Sequence, residues 1–162
     1  IFQTMNQYKE LMKTRFLVCN CDNLYSVKAI KTLLGESNYN SMIAYDFEYL
    51  EFSNDRLSSF SLLNIENNFL SKIIEKPDLK LIRNHSRKKY VSMNIFSFNG
   101  SEIYKHLRDC PINVKRGEKE IATALQNMIL ENKKSVIAFP LCEHVPDLTY
   151  KDDLEKINKF LN

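Results

Sequence analysis

The run Phe16-Leu-Val-Cys-Asn-Cys-Asp-Asn-Leu-Tyr25 joins four apolar residues to a polar turn that carries one acid, Asp22. An apolar run bounded by turn residues reads as a buried parallel strand. In open α/β sheets, ligands gather beyond the carboxyl ends of such strands. An acid at that rim can ligate a metal or face a phosphate. Asp and Asn after a strand are also ordinary turn and helix-capping residues, so the local pattern leaves both roles open. The other reactive residue types are less organised. Cys19, Cys21, Cys110 and Cys142 show no C-x-x-C spacing. Cys19 and Cys21 would share one face of a strand, but no second pair completes a zinc site. They read as buried, reduced thiols of a cytoplasmic protein. His85, His106 and His144 are scattered without metal-ligand spacing and read as surface or satisfied core residues. Lys80, Arg83, Arg87, Lys88 and Lys89 fall in one polar connection, 78–89, which reads as a solvated or phosphate-facing loop rather than a nucleic-acid patch.

Such residues need a frame, and 162 residues suffice for one domain with a real core. The net charge of +3 is too small to argue for nucleic acid as a partner. No apolar run reaches membrane-spanning length, and no signal peptide is recognisable. The chain opens on Ile1 and reads as a piece of a longer protein.

Hydrophobic spacing predicts a helix over 4–14 and a strand over 16–19. Ser26 then caps a helix with Val27, Ile30, Leu33 and Leu34 inward, and Gly35 stops it. A strand over 41–47 completes a βαβ signature. Residues 48–66 read as strands joined by turns, and 69–75 as another strand that Lys76-Pro77 ends. A strand over 90–98 precedes a helix from Ser101 to Arg108, with Ser101 as its cap. The cleanest helix spans 118–130, with Ile121, Leu125, Met128 and Ile129 on one stripe. A strand over 135–139 and a helix over 152–161, with Leu154, Ile157, Phe160 and Leu161 inward, close the chain. The class is α/β, with a mixed sheet.

Several landmarks in this order resemble the nucleotidyltransferase family of NDP-sugar pyrophosphorylases and choline-phosphate cytidylyltransferases. The first is Asn20-Cys21-Asp22-Asn23-Leu24-Tyr25, similar to the family's Gly-Asp-Asn or Ala-Asp-Asp turn. The second is Ile73-Ile74-Glu75-Lys76-Pro77, similar to Glu-Lys-Pro. Val91-Ser92-Met93-Asn94-Ile95-Phe96-Ser97-Phe98 follows as the next strand, and Arg116-Gly117-Glu118-Lys119-Glu120 resembles Gly-Glu-x-Glu. The last is Asp147-Leu148-Thr149-Tyr150-Lys151-Asp152-Asp153-Leu154, an acid before a helix start.

The resemblance implies a Rossmann-like, GT-A-like fold: a mixed, mostly parallel sheet with helices on both faces. It implies that residues 1–162 are one domain, its later two-thirds, with the family's Gly-rich triphosphate loop lying ahead of Ile1. The implied reaction transfers a nucleoside monophosphate from an NTP to a phosphorylated sugar or small phospho-alcohol and releases pyrophosphate. A non-catalytic binding or assembly subunit is the alternative. The implied cofactor is Mg2+, ligated by Asp22 and Asp147. Lys76 would hold the acceptor's phosphate, with Asp22 and Lys76 as the catalytic pair. Glu75, Lys76 and Asn94 would bind the acceptor. Glu120-Ile121-Ala122-Thr123 has Thr123 where many sugar pyrophosphorylases carry an Asp, which favours the cytidylyltransferase-like branch. Asn94 stands where a glycine is usual. The implied partners are an NTP and a phosphorylated small molecule, with no nucleic acid or membrane, in a possible homo-oligomer.

Overall fold

The computed structural model describes residues 1–35, 39–78, 80 and 88–161. In chain order, α1 (Phe2–Gln7) and a 3-10 turn (Lys9–Met12) lead to β1 (Arg15–Cys19), α2 (Val27–Leu34) and β2 (Asn40–Asp46). Next come α3 (Asn54–Leu57), β3 (Ser61–Glu66), β4 (Phe69–Ile74), β5 (Tyr90–Ser92), β6 (Ile95–Asn99) and α4 (Gly100–Asp109). A short ribbon of β7 (Ile112–Asn113) and β8 (Glu118–Lys119) precedes α5 (Ile121–Glu131), β9 (Val136–Leu141) and α6 (Asp153–Leu161).

The organising strand is β2, buried at every position. Its alternate side chains serve two cores, as the period of two requires. Met42 and Ala44 pack with Phe96 and Phe98 of β6 against α4 and α5, through Ile103, Leu107, Leu125 and Met128. Ile43 and Tyr45 pack on the other side with Val91 and Ile95 against Ala29 and Leu33 of α2. Helices therefore cover both faces, as expected.

The sheet order is β1-β6-β2-β5-β3-β4-β9, and β9 pairs back onto β2. Five strands thus close into a barrel-like ring, with β6 and β1 as a wing. The seam closes at Phe69↔Ile137 and by the Ala138 N–H donating to the Asn68 carbonyl at 2.9 Å. Among the described pairings, only β2–β9 is parallel; the rest are antiparallel. The expectation of a mostly parallel sheet is therefore corrected. β1 and β2 do run the same way around α2, but β6 lies antiparallel between them. A sequence period cannot reveal a strand inserted from later in the chain.

The expected strand over 90–98 is two strands. β6 lies beside Ser41 and Met42, and β5 lies beside Tyr45 and Asp46 on the same edge of β2. Between them Asn94 turns left-handed, φ 54°. Asn is among the few residues that accept this region, which explains why it can stand where a glycine is usual. A pair of left-handed asparagines, Asn67 and Asn68, likewise makes the two-residue β3–β4 hairpin turn.

Other boundaries shift for local reasons. The expected helix over 4–14 breaks at Tyr8 into α1 and the 3-10 turn. Residues 48–60 form a 3-10 turn and α3 rather than strands, because Asp46 accepts from the Glu48 N–H at 3.1 Å and turns the chain out of β2. α5 starts at Ile121, not Glu118, because Glu118 and Lys119 pair with β7. Asn99, not Ser101, caps α4. Ser26 caps α2 as expected, accepting from the Ala29 N–H at 3.0 Å, and Gly35 ends it. Yet Val27 and Leu34 are each 66% exposed, because the short helix meets the sheet through Ala29 and Leu33. In α6, Leu154, Phe160 and Leu161 are exposed rather than inward.

Cys19, Cys21 and Cys142 are exposed and Cys110 is buried, all four as free thiols, which corrects the expectation of buried ones. Residues 79 and 81–87 of the basic connection, with Arg83, His85 and Arg87, lie outside the described residues. Lys88 does not simply face solvent: it pairs at 2.8 Å with the buried Asp46. No described helix is long and apolar enough to cross a membrane.

Candidate functional site

The turn after β1 holds Asn20, Asp22 and Asn23 beside the segment that carries Asp147. The Leu24 N–H donates to the Pro146 carbonyl at 2.9 Å, and the Leu148 N–H donates to the Asp22 carbonyl at 2.8 Å. These bonds frame an isolated antiparallel bridge between Asn23 and Asp147. Two acids from opposite ends of the chain are thereby fixed by backbone, not by side-chain chance. They line one recess of about 170 Å³ with Asn20, Asn23, Asn94 and Thr149. Asp22 is exposed, whereas Asp147 is buried.

A second recess of about 330 Å³ adjoins the first through Asn20 and Asn94, which line both. Its other walls include Ser61, Glu75, Phe96 and Arg116. Glu75 accepts a hydrogen bond from the Ser61 hydroxyl. Arg116, which lies 35% exposed at this wall, pairs with Glu120 at 3.1 Å. Lys119 also lines the recess, but its ammonium is turned onto the carbonyls of Leu107 and Arg108 at the end of α4. Lys76 lies next to Glu75, exposed and left-handed at φ 45°, and does not line either recess. A non-glycine residue in that region carries backbone strain of about 1–3 kcal/mol, and the following Pro77 restricts it further. Asp22, Asp147, Asn94 and Glu75 thus line two adjoining recesses, whereas Lys76 is not brought into either.

Tyr25 ties the two recesses. Its hydroxyl accepts from the Asn20 N–H at 3.3 Å and donates to the Met93 carbonyl at 2.5 Å. Burial pushes its pKa far above the ordinary phenol value, and the charges of both Asp22 and Asp147 add to the rise.

Three residues around the site carry no signal in the sequence. Tyr25 and Arg116 stand inside the quoted motifs but carry no spacing signal of their own. Arg56 had none at all, because its partners come from distant segments. Its Nη1 and Nη2 meet the Asp153 carboxylate at 2.9 and 3.0 Å, and Nη2 lies 3.0 Å from Asp147 Oδ2. Burial opposes its charge, but the hydrogen bonds to Asp153 and Asp147 outweigh that and raise its pKa.

Whether a cation suits this cleft turns on the donor set. Asp22 and Asp147 offer carboxylate oxygens, and Asn20 and Asn94 add amides, with no cysteine or histidine lining the smaller recess. Among the described residues no cluster of three or more acid, His or Cys side chains exists to cage a metal. Two carboxylates completed by water and phosphate oxygens are the pattern of magnesium. The residues present fit that cation.

No family model matches the chain, and no curated protein matches its sequence. Solved structures do match its shape. A UDP-glucose pyrophosphorylase complexed with UDP-glucose superposes with a TM-score of 0.69 at 15% identity, over 98% of this chain and 60% of that one. A UTP-bound UGPase from Acinetobacter baumannii gives 0.67 at 12% identity, over 97% of this chain and 54% of that one. A Bacillus anthracis protein provisionally assigned as a glucose-1-phosphate thymidylyltransferase gives 0.67 at 16% identity, covering 99% and 60%. At such identities the likeness is one of fold. The fold is therefore that of the NDP-sugar pyrophosphorylases, and the chain spans little more than half the length of these structures.

Proposed function

We propose that this chain is the later part of a nucleotidyltransferase domain. Its reaction joins a nucleoside monophosphate from an NTP to a phosphorylated sugar or small phospho-alcohol. The observation that carries the reading is the pairing of the Asp22 and Asp147 segments at one recess. The nucleotide fold of the structural neighbours supports it.

An oxygen of the acceptor's phosphate attacks the α-phosphorus of the NTP, the bond from that phosphorus to the bridging oxygen breaks, and pyrophosphate leaves. Both reactants are anions, so charge is the main obstacle. Bound between Asp22 and Asp147, Mg2+ would supply neutralising charge for the phosphate oxygens. Asn94 and Glu75 would orient the acceptor through its hydroxyls in the larger recess. Lys76 and Arg116 would hold its phosphate, the lysine as a point charge and the arginine as a planar fork.

The test is pyrophosphate release by the full-length protein with a panel of NTPs and phosphorylated acceptors. Asp22→Asn should lower kcat at least 100-fold with the fold intact, and Asn94→Ala should mainly raise KM for the acceptor. Release that is indifferent to Asp22 sinks the reading. A non-catalytic binding subunit is the second reading, favoured by the ion pair that already occupies Asp147. It calls for nucleotide or sugar-phosphate binding without any release.

A further inference from the structure

Arg56 on α3 has a side chain that is only 14% exposed. The rings of Phe52 and Tyr150 flank it, with centroids 5.0 and 5.2 Å away. Its fork grips Asp153 at the start of α6 with both nitrogens. The same Nη2 donates to the Asp147 carbonyl at 3.2 Å and pairs with Asp147 Oδ2 at 3.0 Å. The Thr149 hydroxyl donates to Asp147 Oδ1 at 2.7 Å. Both oxygens of Asp147 therefore already have a partner on the protein.

A carboxylate has about four acceptor positions, so Asp147 retains lone pairs for the recess that it lines. A divalent cation drawn to them would share one carboxylate with a guanidinium. At a few ångströms in a shielded site, repulsion between two such cations is worth kilocalories rather than tenths. The carboxylate of Asp153 screens part of the guanidinium's charge. The direction of the arginine's influence on a bound cation is thus fixed by geometry.

We propose that Arg56 is a built-in competitor of the divalent cation at Asp147: a positioning residue that fixes the carboxylate and weakens cation binding there, with Asp153 setting how strongly. The inference rests on the reading that Asp22 and Asp147 hold a divalent cation. Arg56 supplies positive charge to Asp147, and cation binding works against it. Occupancy of the cleft is then tuned from α3 and α6, outside the reacting atoms.

The experiment measures Mn2+ affinity by titration calorimetry and electron paramagnetic resonance on the full chain. The proteins compared are wild type, Arg56→Gln, Asp153→Asn and Asp22→Asn, each with a urea unfolding curve. Arg56→Gln should bind Mn2+ about tenfold tighter, and Asp153→Asn several-fold more weakly, although both lose stability. A purely structural role would move both affinities the same way, since each change loosens the same cluster. Arg56→Gln binding no tighter than wild type, or Asp153→Asn binding no more weakly, overturns the proposal. Should Arg56→Gln fail to fold, Arg56→Met, which keeps the aliphatic stem and removes the charge, takes its place, and binding no tighter than wild type overturns the proposal. Asp22-dependent Mn2+ binding that is absent from wild type and Arg56→Gln alike overturns the cation reading as well. Its presence with the wrong signs overturns only the role given to Arg56.

Discussion

His144 shows how one side chain in this molecule carries a measurable property. Its Nδ1 accepts the Glu51 N–H at 3.1 Å, so the neutral ring holds its proton on Nε2, and the ring lies 4.9 Å from that of Phe52. Burial holds its pKa below the ordinary 6.5; Glu51 acts against the shift and Arg56 with it. Protonation would turn the acceptor into a second donor facing an N–H. Because the folded value lies below the unfolded one, this contribution is whole above 6.5 and is lost as pH falls through the folded value. The stability difference between wild type and His144→Gln should therefore shrink from about pH 7.5 to about pH 5. Urea unfolding at each pH measures it, and a constant difference removes His144 from the account. At this scale the sequence was informative where chemistry follows a local pattern. Asp22 is legible because it ends an apolar run, and Glu75 because Glu75-Lys76-Pro77 resembles a family motif. His144 and Arg56 are not, since their partners lie 50 residues or more away in the chain: Glu51 for one, Asp147 and Asp153 for the other.

Among the elements, Gly100 decides how α4 meets the N-terminal segment. Its N–H donates to the Thr14 carbonyl at 3.0 Å, and a Cβ there would stand 1.7 Å from the Leu11 carbonyl oxygen. A backbone contact cannot swing aside as a flexible side chain can. Gly100→Ala should thus destabilise by about 1–3 kcal/mol, as overpacking does. Gly35→Ala, whose Cβ would meet nothing nearer than 3.4 Å, should stay within about 0.5 kcal/mol. Urea midpoints of the two variants separate close approach from a general glycine effect. Helix existence was readable from the apolar stripe of α5 and the Ser26 cap of α2. Boundaries were not. Glu118 and Lys119 look helical by composition, yet they pair with Ile112 and Asn113. Residues 90–98 look like one strand, because nothing local marks Asn94 as a break apart from its tolerance of a left-handed backbone.

Across the whole molecule, the two layers are joined by a buried polar knot at Asn40. Its side chain accepts from the Asn99 N–H at 2.8 Å, and donates to Glu102 Oε2 at 2.6 Å and the Ser135 carbonyl at 3.3 Å. One side chain thus links β2, the end of β6, α4 and the approach to β9. Asn40→Ala should cost about 2–4 kcal/mol, because stranded buried donors and acceptors carry about 1–3 kcal/mol each. Differential scanning calorimetry checks it, and a loss below about 1 kcal/mol would show that water replaces the amide. The α/β class follows from composition and periodicity, and the two-sided helical cover from the family resemblance. The ring does not, because its closure depends on β9 returning to β2 from the far end of the chain.

The interruption at Asn94 has one more consequence. Where two strands share an edge of a third, the sheet branches, and carbonyls at the branch point no longer have a neighbouring strand to receive. Met93 hands its oxygen to Tyr25 instead, and Asn94 is left facing both hollows. Polar backbone that regular pairing would have consumed is satisfied locally, the Asn94 N–H donating to Ser92 Oγ at 3.1 Å. The two recesses and the interrupted sheet meet at the same residue, so a substitution that zipped the branch closed would remove the wall that both hollows share.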